Sequence, residues 1–426
     1  MILRNSVYNM LGLGLPMVVA VVAIPVLIHG LGEARFGALT IIWAVVSYFG
    51  LFDLGLGRAV TQKVAVAVAE GRRDELNAII GTSSALMLAL GVTGGVILAI
   101  ATPALARAFA GQGGTAEVEH AFFWMAAVMP AIVLTSGYRG TLEAIGHFAL
   151  VNAIRVPMGI YTFVAPMALV WAGYSDLVII SATLAFGRLI GCFVHAWFAL
   201  RSIEEVHHLG RIDREFIKPL LRFGGWLSVM NTFGPLIGYI DRFLVGMTLG
   251  PEAVTHFVTP QEVSSKISLI PMAISTAAFP TLSASRKSSS DELIATIKRL
   301  SLANAAVTLL PTLFIMIFSH LILSKWIGNA FADKTSFYLS IFAAGYFINS
   351  LAHVPLSFIV AFEGSRAVSV LYFIEMIIYV AAIYFAGRTL GLTAIAFVWL
   401  ARVTIDTLVI VAMSIQFARR HRPNAS

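Results

Sequence analysis

Twelve stretches of about twenty residues, nearly all apolar and separated by short polar connections, dominate this chain of 426 residues. Coiled as a helix, a run of that length matches the hydrocarbon thickness of a bilayer, whereas a membrane barrel strand needs only about 10 residues. Lipid offers no hydrogen-bond partners, so each run must satisfy its own backbone, and a helix does so within one segment. Composition excludes the alternative of a soluble fold. Charged residues make up only 12% of the chain, where a soluble domain carries about 25%. The expected fold is an all-α polytopic membrane protein of about twelve transmembrane helices.

The runs cover 6–29, 36–57, 79–101, 120–138, 151–173, 177–200, 223–248, 253–281, 300–323, 337–361, 368–387 and 391–416. The first follows Arg4 and resembles a signal sequence, but it is too long for one and opens a series of like runs, so it reads as the first span. Threading the chain through a membrane puts 20 Lys and Arg on the side of the N-terminus and 5 on the other. That bias predicts cytoplasmic N- and C-termini and an even number of spans. The net charge of +7 is therefore assigned to cytoplasmic loops rather than to nucleic-acid binding. The single Cys192 lies within a span and carries no compartment signal.

The longest polar connection, Arg201 to Arg222, divides the chain into two parts: 1–200, a linker 201–222, and 223–426. The parts resemble each other. Ser6, Val7, Asn9 and Gly12 of span one match Ser228, Val229, Asn231 and Gly234 of span seven, and Leu31-Gly32-Glu33-Ala34 matches Leu249-Gly250 with Glu252-Ala253. Repeated halves are a common transporter plan, with the substrate site at their interface. The expected arrangement is two pseudo-symmetric six-helix bundles around a central cleft.

Ionisable groups within the spans cost about 2.5–3.5 kcal/mol each on insertion scales, so they face a hydrated cavity or a partner helix. The basic candidates are Arg188, Arg242, Lys266 and Arg402; the acidic ones are Asp53, Asp241, Glu262, Glu375 and Asp406. Glu262 with Lys266, and Arg402 with Asp406, have the i,i+4 spacing of same-face pairs. Arg188 and Arg242 have no acid three or four residues away, so they are expected as lone guanidinium groups facing the cleft. Arg242 extends a small or polar stripe, Asn231, Pro235, Gly238, matched in span one by Asn5, Asn9, Gly12 and Pro16. Arg188, Arg242, Lys266, Arg402, Asn9 and Asn231 are therefore the candidate substrate-binding set. Asp53, Asp241, Glu262, Glu375 and Asp406 are candidates for ion coupling. Bland readings compete: charge pairs act as structural clamps, glycines mediate close packing, and Asp53 and Asp241 lie near span ends, at headgroup level.

The histidines are scattered, with His207 and His208 in the linker and His195, His320 and His353 on separate spans, so no metal constellation is expected. The chain contains no Walker A, G-x-S-x-G or H-E-x-x-H sequence. No cofactor and no catalytic site are expected.

Several motifs, in order along the chain, resemble Wzx-type polysaccharide flippases of the multidrug/oligosaccharidyl-lipid/polysaccharide exporter superfamily. They are Asn9 with Ile24-Pro25, Leu31-Gly32, Phe36-Gly37 and Asp53-Leu54-Gly55-Leu56; Tyr138-Arg139-Gly140 to Gly146 with Asn152 and Arg155; Asp241-Arg242-Phe243-Leu244; Ile270-Pro271 to Phe279-Pro280; and Trp326-Ile327-Gly328. His147-Phe148 and Thr255-His256-Phe257 depart from the usual pattern. The resemblance implies a bacterial inner-membrane protein that moves an undecaprenyl-pyrophosphate-linked oligosaccharide from the cytoplasmic to the periplasmic leaflet. It also implies membrane lipids, a polysaccharide polymerase and a chain-length regulator as partners. A multidrug exporter of the same superfamily, a major-facilitator transporter and a membrane-embedded glycan polymerase or ligase are the competing expectations. Against the last, the longest external loop, 102–119, carries only Arg107, Glu117 and Glu119 as charges.

Overall fold

Caps and turn residues in the sequence account for where the helices stop. The computed structural model describes residues 2–49, 55–72, 74–110, 114–203, 212–222, 225–275, 289–362 and 364–420. Its helices are α1 (Ile2–Phe49), α2 (Leu56–Ala69), α3 (Asp74–Phe109), α4 (Thr115–Ala144), α5 (Phe148–Trp171), α6 (Leu177–Arg201) and the short α7 (Arg214–Arg222). Then follow α8 (Gly225–Leu249), α9 (Pro251–Ser265), α10 (Ser290–Trp326), α11 (Asn329–Ser350), α12 (His353–Ala361), α13 (Ser365–Thr389) and α14 (Leu392–Arg420). No strand occurs among the described residues.

At the start of α6 the Asp176 carboxylate accepts from the Val178 amide at 2.6 Å, capping an otherwise unpaired donor. Ser289 and Glu292 form a reciprocal capping box at the start of α10. Two glycines matter for the internal repeat. Gly32 interrupts α1 with φ 79°, and Gly250 separates α8 from α9 with φ 88°. An L side chain rarely adopts such an angle. Pro251 then opens α9, where its missing amide costs nothing. The Leu-Gly pairs matched in the sequence thus each place a glycine of positive φ after spans one and seven.

Nine helical stretches among the described residues are long and apolar enough to cross a membrane. One of them, 15–45, runs through the Gly32 break and so joins parts of two expected spans. The expected span 337–361 is likewise broken, into α11 and α12. Within the expected span 253–281, α9 runs to Ser265, a 3-10 turn follows over Lys266–Ser268 and helix resumes over 269–275, while 276–281 lie outside the described residues.

The chain forms two compact units, 1–239 with 250–252 and 240–249 with 253–426. The polar segment 201–222 falls in the first. In that unit α4 is central, packed along α3 and α6 and touched by α2, while α1 lies along α5. Small residues set the spacing: a Cβ on Gly91 would lie 2.5 Å from Pro130 Cα, and one on Gly95 2.6 Å from the Ala126 carbonyl oxygen. This is the packing role expected of glycine in membrane helices. In the second unit α11 packs on α10, and α14 lies against α11, α12 and α13. Trp399 of α14 stacks edge-on against Phe342 of α11, their centroids 4.8 Å apart.

Candidate functional site

Most of the deep charges fall in the second unit, where four helices bring them into one chain of contacts. Arg242, on α8, donates from Nη2 to Glu262 Oε1 of α9 at 2.5 Å. The other oxygen of Glu262 takes Lys266 Nζ at 3.2 Å. The Glu262–Lys266 pair is the one its spacing predicted. Arg242 is not the lone guanidinium expected. Its partner comes from the neighbouring helix, where a same-helix rule cannot look.

Asp241 turns to a different face from Arg242, since adjacent helical residues lie about 100° apart. It is fully buried. Oδ2 accepts from Gln261 Nε2 at 2.8 Å and from the Tyr379 hydroxyl of α13 at 3.5 Å, while Oδ1 accepts from the Arg242 amide at 2.8 Å. The Arg402 guanidinium of α14 lies 5.2 Å from the centre of the Tyr379 ring, within cation–π range. Arg402 also departs from expectation. It donates to Glu375 of α13 at 3.1 Å rather than clamping Asp406 one turn on. Asp406 is 6% exposed, and its Oδ1 has no hydrogen-bond partner.

The charges are sorted along this chain. At the more open end two bases, Arg242 and Lys266, share one acid, Glu262; the Glu262 and Lys266 side chains are 37% and 40% exposed. At the buried end one base, Arg402, stands among three acids, Asp241, Glu375 and Asp406. A low dielectric makes such an excess of acid costly unless it is protonated or counter-charged.

In the first unit, Arg188 is half-buried on α6 and donates from Nη2 to Thr162 Oγ1 of α5 at 3.3 Å. It has no acidic partner among the described residues. Asp53 and the side chains of Asn9 and Asn231 lie outside the described residues. Gln261 and Tyr379 were missed by the sequence reading. A glutamine beside Glu262 within an apolar run was the available signal for the first; nothing in the sequence links Tyr379 to Asp241.

A sequence profile of the family described as "Polysaccharide biosynthesis protein" matches residues 2–286. A Shigella flexneri protein named as a candidate O-antigen transporter is 30% identical over 414 residues, covering 96% of each chain. The chain belongs to the polysaccharide biosynthesis protein family. Solved structures share its fold. An inward-facing multidrug resistance MATE family transporter of the MOP superfamily aligns with TM-score 0.79 at 14% identity, over 98% of this chain and 99% of that one. A MOP superfamily transporter from Pyrococcus furiosus, described by the reversed polarity of its binding pocket, aligns with TM-score 0.66 at 16% identity, over 98% and 96%. The family member described here is thus a multi-pass membrane protein with the fold of MOP superfamily transporters, as its motifs suggested.

Proposed function

We propose that this chain flips a lipid-linked oligosaccharide, joined to undecaprenyl through a pyrophosphate, from the cytoplasmic to the periplasmic leaflet of a bacterial inner membrane, for O-antigen or related polysaccharide assembly. The family and the Shigella relative supply the substrate class. The observation that carries the reading is the Arg242–Glu262–Lys266 group, two bases on one acid, partly open and set among apolar helices. Guanidinium and ammonium groups recognise phosphate oxygens by charge-assisted hydrogen bonds. Arg188, with no acidic partner among the described residues, is a separate candidate anion contact within the first unit. The oligosaccharide moves without bond making or breaking, so the chain needs no catalytic group. Both termini are cytoplasmic in this reading, and a polymerase with its chain-length regulator takes over the product.

The acid-rich buried end supports a second element of the proposal, proton coupling through Glu375 and Asp406. Glu262, also an expected carrier, is already held by two cations and fits that role less well.

The test is complementation in a host lacking its own flippase. Surface polysaccharide returns with this chain, and the lipid-linked intermediate ceases to accumulate. Arg242→Ala reaches the membrane at the normal level and fails to restore it. Full restoration by Arg242→Ala would remove the site. Resistance to cationic drugs with no polysaccharide would instead favour a multidrug exporter.

A further inference from the structure

Glu262 is odd as a structural clamp. Its two oxygens go to different bases, Arg242 on α8 and Lys266 on its own helix, much as two oxygens of one phosphoryl group would. More than a third of its side chain is exposed, so a ligand can reach it. It is also not the sole link between α8 and α9. A second link lies one residue earlier, where buried Gln261 bonds fully buried Asp241 at 2.8 Å. The carboxylate therefore stands at an anion position beside a link between the helices that does not involve it.

We infer that Glu262 is a resident counter-ion that a diphosphate displaces from Arg242 and Lys266, and that it sets the charge a headgroup must carry to enter the site. This rests on the flippase reading above and goes beyond it by naming what the site rejects. A membrane protein's cations are surrounded by phospholipid headgroups, whose phosphodiesters carry a single negative charge. A carboxylate tethered beside both bases competes at high effective concentration, and a single-charged phosphodiester gains nothing by replacing it. A diphosphate carries more charge on more oxygens, so its Coulomb attraction to the two bases exceeds that of one carboxylate. Specificity then comes from a built-in competitor as much as from attraction. Arg242, with only 10% of its side chain exposed, stays where the Glu262 pair has aimed it.

The full chain, purified in detergent, is titrated with farnesyl diphosphate, with dihexanoyl phosphatidylglycerol and with farnesol as an uncharged control. Wild type is expected to bind the diphosphate at least about tenfold more tightly than the phosphodiester, and farnesol not measurably. In Glu262→Gln, which keeps the Gln261–Asp241 link, both ligands tighten and the phosphodiester tightens more, by about tenfold, so discrimination shrinks. Arg242→Gln loses both. Glu262→Asp is the second variant, since its shorter side chain releases one base while keeping the charge; it falls between wild type and Glu262→Gln. Unchanged or weaker binding in Glu262→Gln, with Arg242→Gln still defective, overturns the counter-ion and leaves the anionic-headgroup site standing. Wild type that does not bind the diphosphate overturns both.

Discussion

Arg402 and Glu375 face each other across α13 and α14 at 3.1 Å, with 18% and 11% of their side chains exposed. The second oxygen of Glu375 and the Nε of Arg402 are left without partners, and so is one oxygen of Asp406. One base in a pocket of acids is thus incompletely answered on every side. Removing either member of a buried pair strands the other charge and costs about 3–5 kcal/mol.

The first prediction follows from that imbalance. Arg402→Met strands Glu375 beside Asp241 and Asp406 and should lower thermal stability sharply. Glu375→Gln should cost less, because Arg402 still faces Asp241 and Asp406. The double variant Arg402→Met/Glu375→Gln should be more stable than the sum of the singles implies, with coupling of about 0.5–3 kcal/mol. Melting temperatures of the four proteins in detergent measure this directly. Simple additivity would mean the two side chains do not depend on each other.

Asp406 supplies the second prediction. Its Oδ1 is buried with nothing to bond, while the nearest guanidinium is engaged with Glu375. The groups facing this pocket from neighbouring helices are Glu375 and Tyr372 of α13 and Arg402 of α14 itself. If the excess acid takes up the coupling proton, Asp406→Asn fixes the site in its neutral form. Vesicles with an imposed proton gradient should show headgroup translocation that wild type accelerates and Asp406→Asn leaves unaccelerated. Wild-type translocation that ignores a collapsed gradient would end the coupling proposal.

Arg188 gives the third. Its single described bond is to a neutral hydroxyl, Thr162 at 3.3 Å, so it holds an uncompensated charge in the first unit. A hydrogen bond to a charged group is worth about 1.5–3 kcal/mol, so Arg188→Ala should reduce complementation by about ten- to a hundredfold. Arg188→Lys should recover part, since it keeps the charge and loses the planar fork. Membrane abundance is measured alongside. Normal export from Arg188→Ala would move this arginine out of the transport path.

What the sequence made legible depended on whether the deciding contact was local. The spans were readable because apolar length is a property of one segment, and Leu31-Gly32 and Leu249-Gly250 were readable because a left-handed turn needs glycine at that point. The Glu262–Lys266 pair was readable from its spacing within one helix. Arg242 was misjudged as lone, and Arg402 was assigned to Asp406, because both find their acids on neighbouring helices. Helix periodicity fixes which residues share a face but not which face of which neighbour meets it. The 3-10 turn after Ser265 is hidden for a related reason: the length of a run shows how far a helical segment extends, not where its hydrogen-bond pattern tightens.

The last prediction concerns two glycines that look alike in sequence. Gly91 lies where α3 meets α4 at Pro130, and a Cβ there would sit 2.5 Å from the Pro130 Cα and 3.1 Å from its nitrogen. Those are backbone atoms, which cannot swing aside. Even Gly91→Ala must therefore push the two helices apart, and overpacking of that kind costs about 1–3 kcal/mol. Gly238 of α8 has nothing within 4 Å of the corresponding Cβ position. Gly238→Ala should leave the melting temperature unchanged or raise it, since alanine restricts the unfolded chain. Because Gly238 lies one turn before Arg242, the same variant also separates packing from binding: a stable protein with weakened diphosphate affinity would show that ligand, not helix, uses the open space. Equal melting temperatures for Gly91→Ala and wild type would show that the α3–α4 contact is looser than its geometry requires.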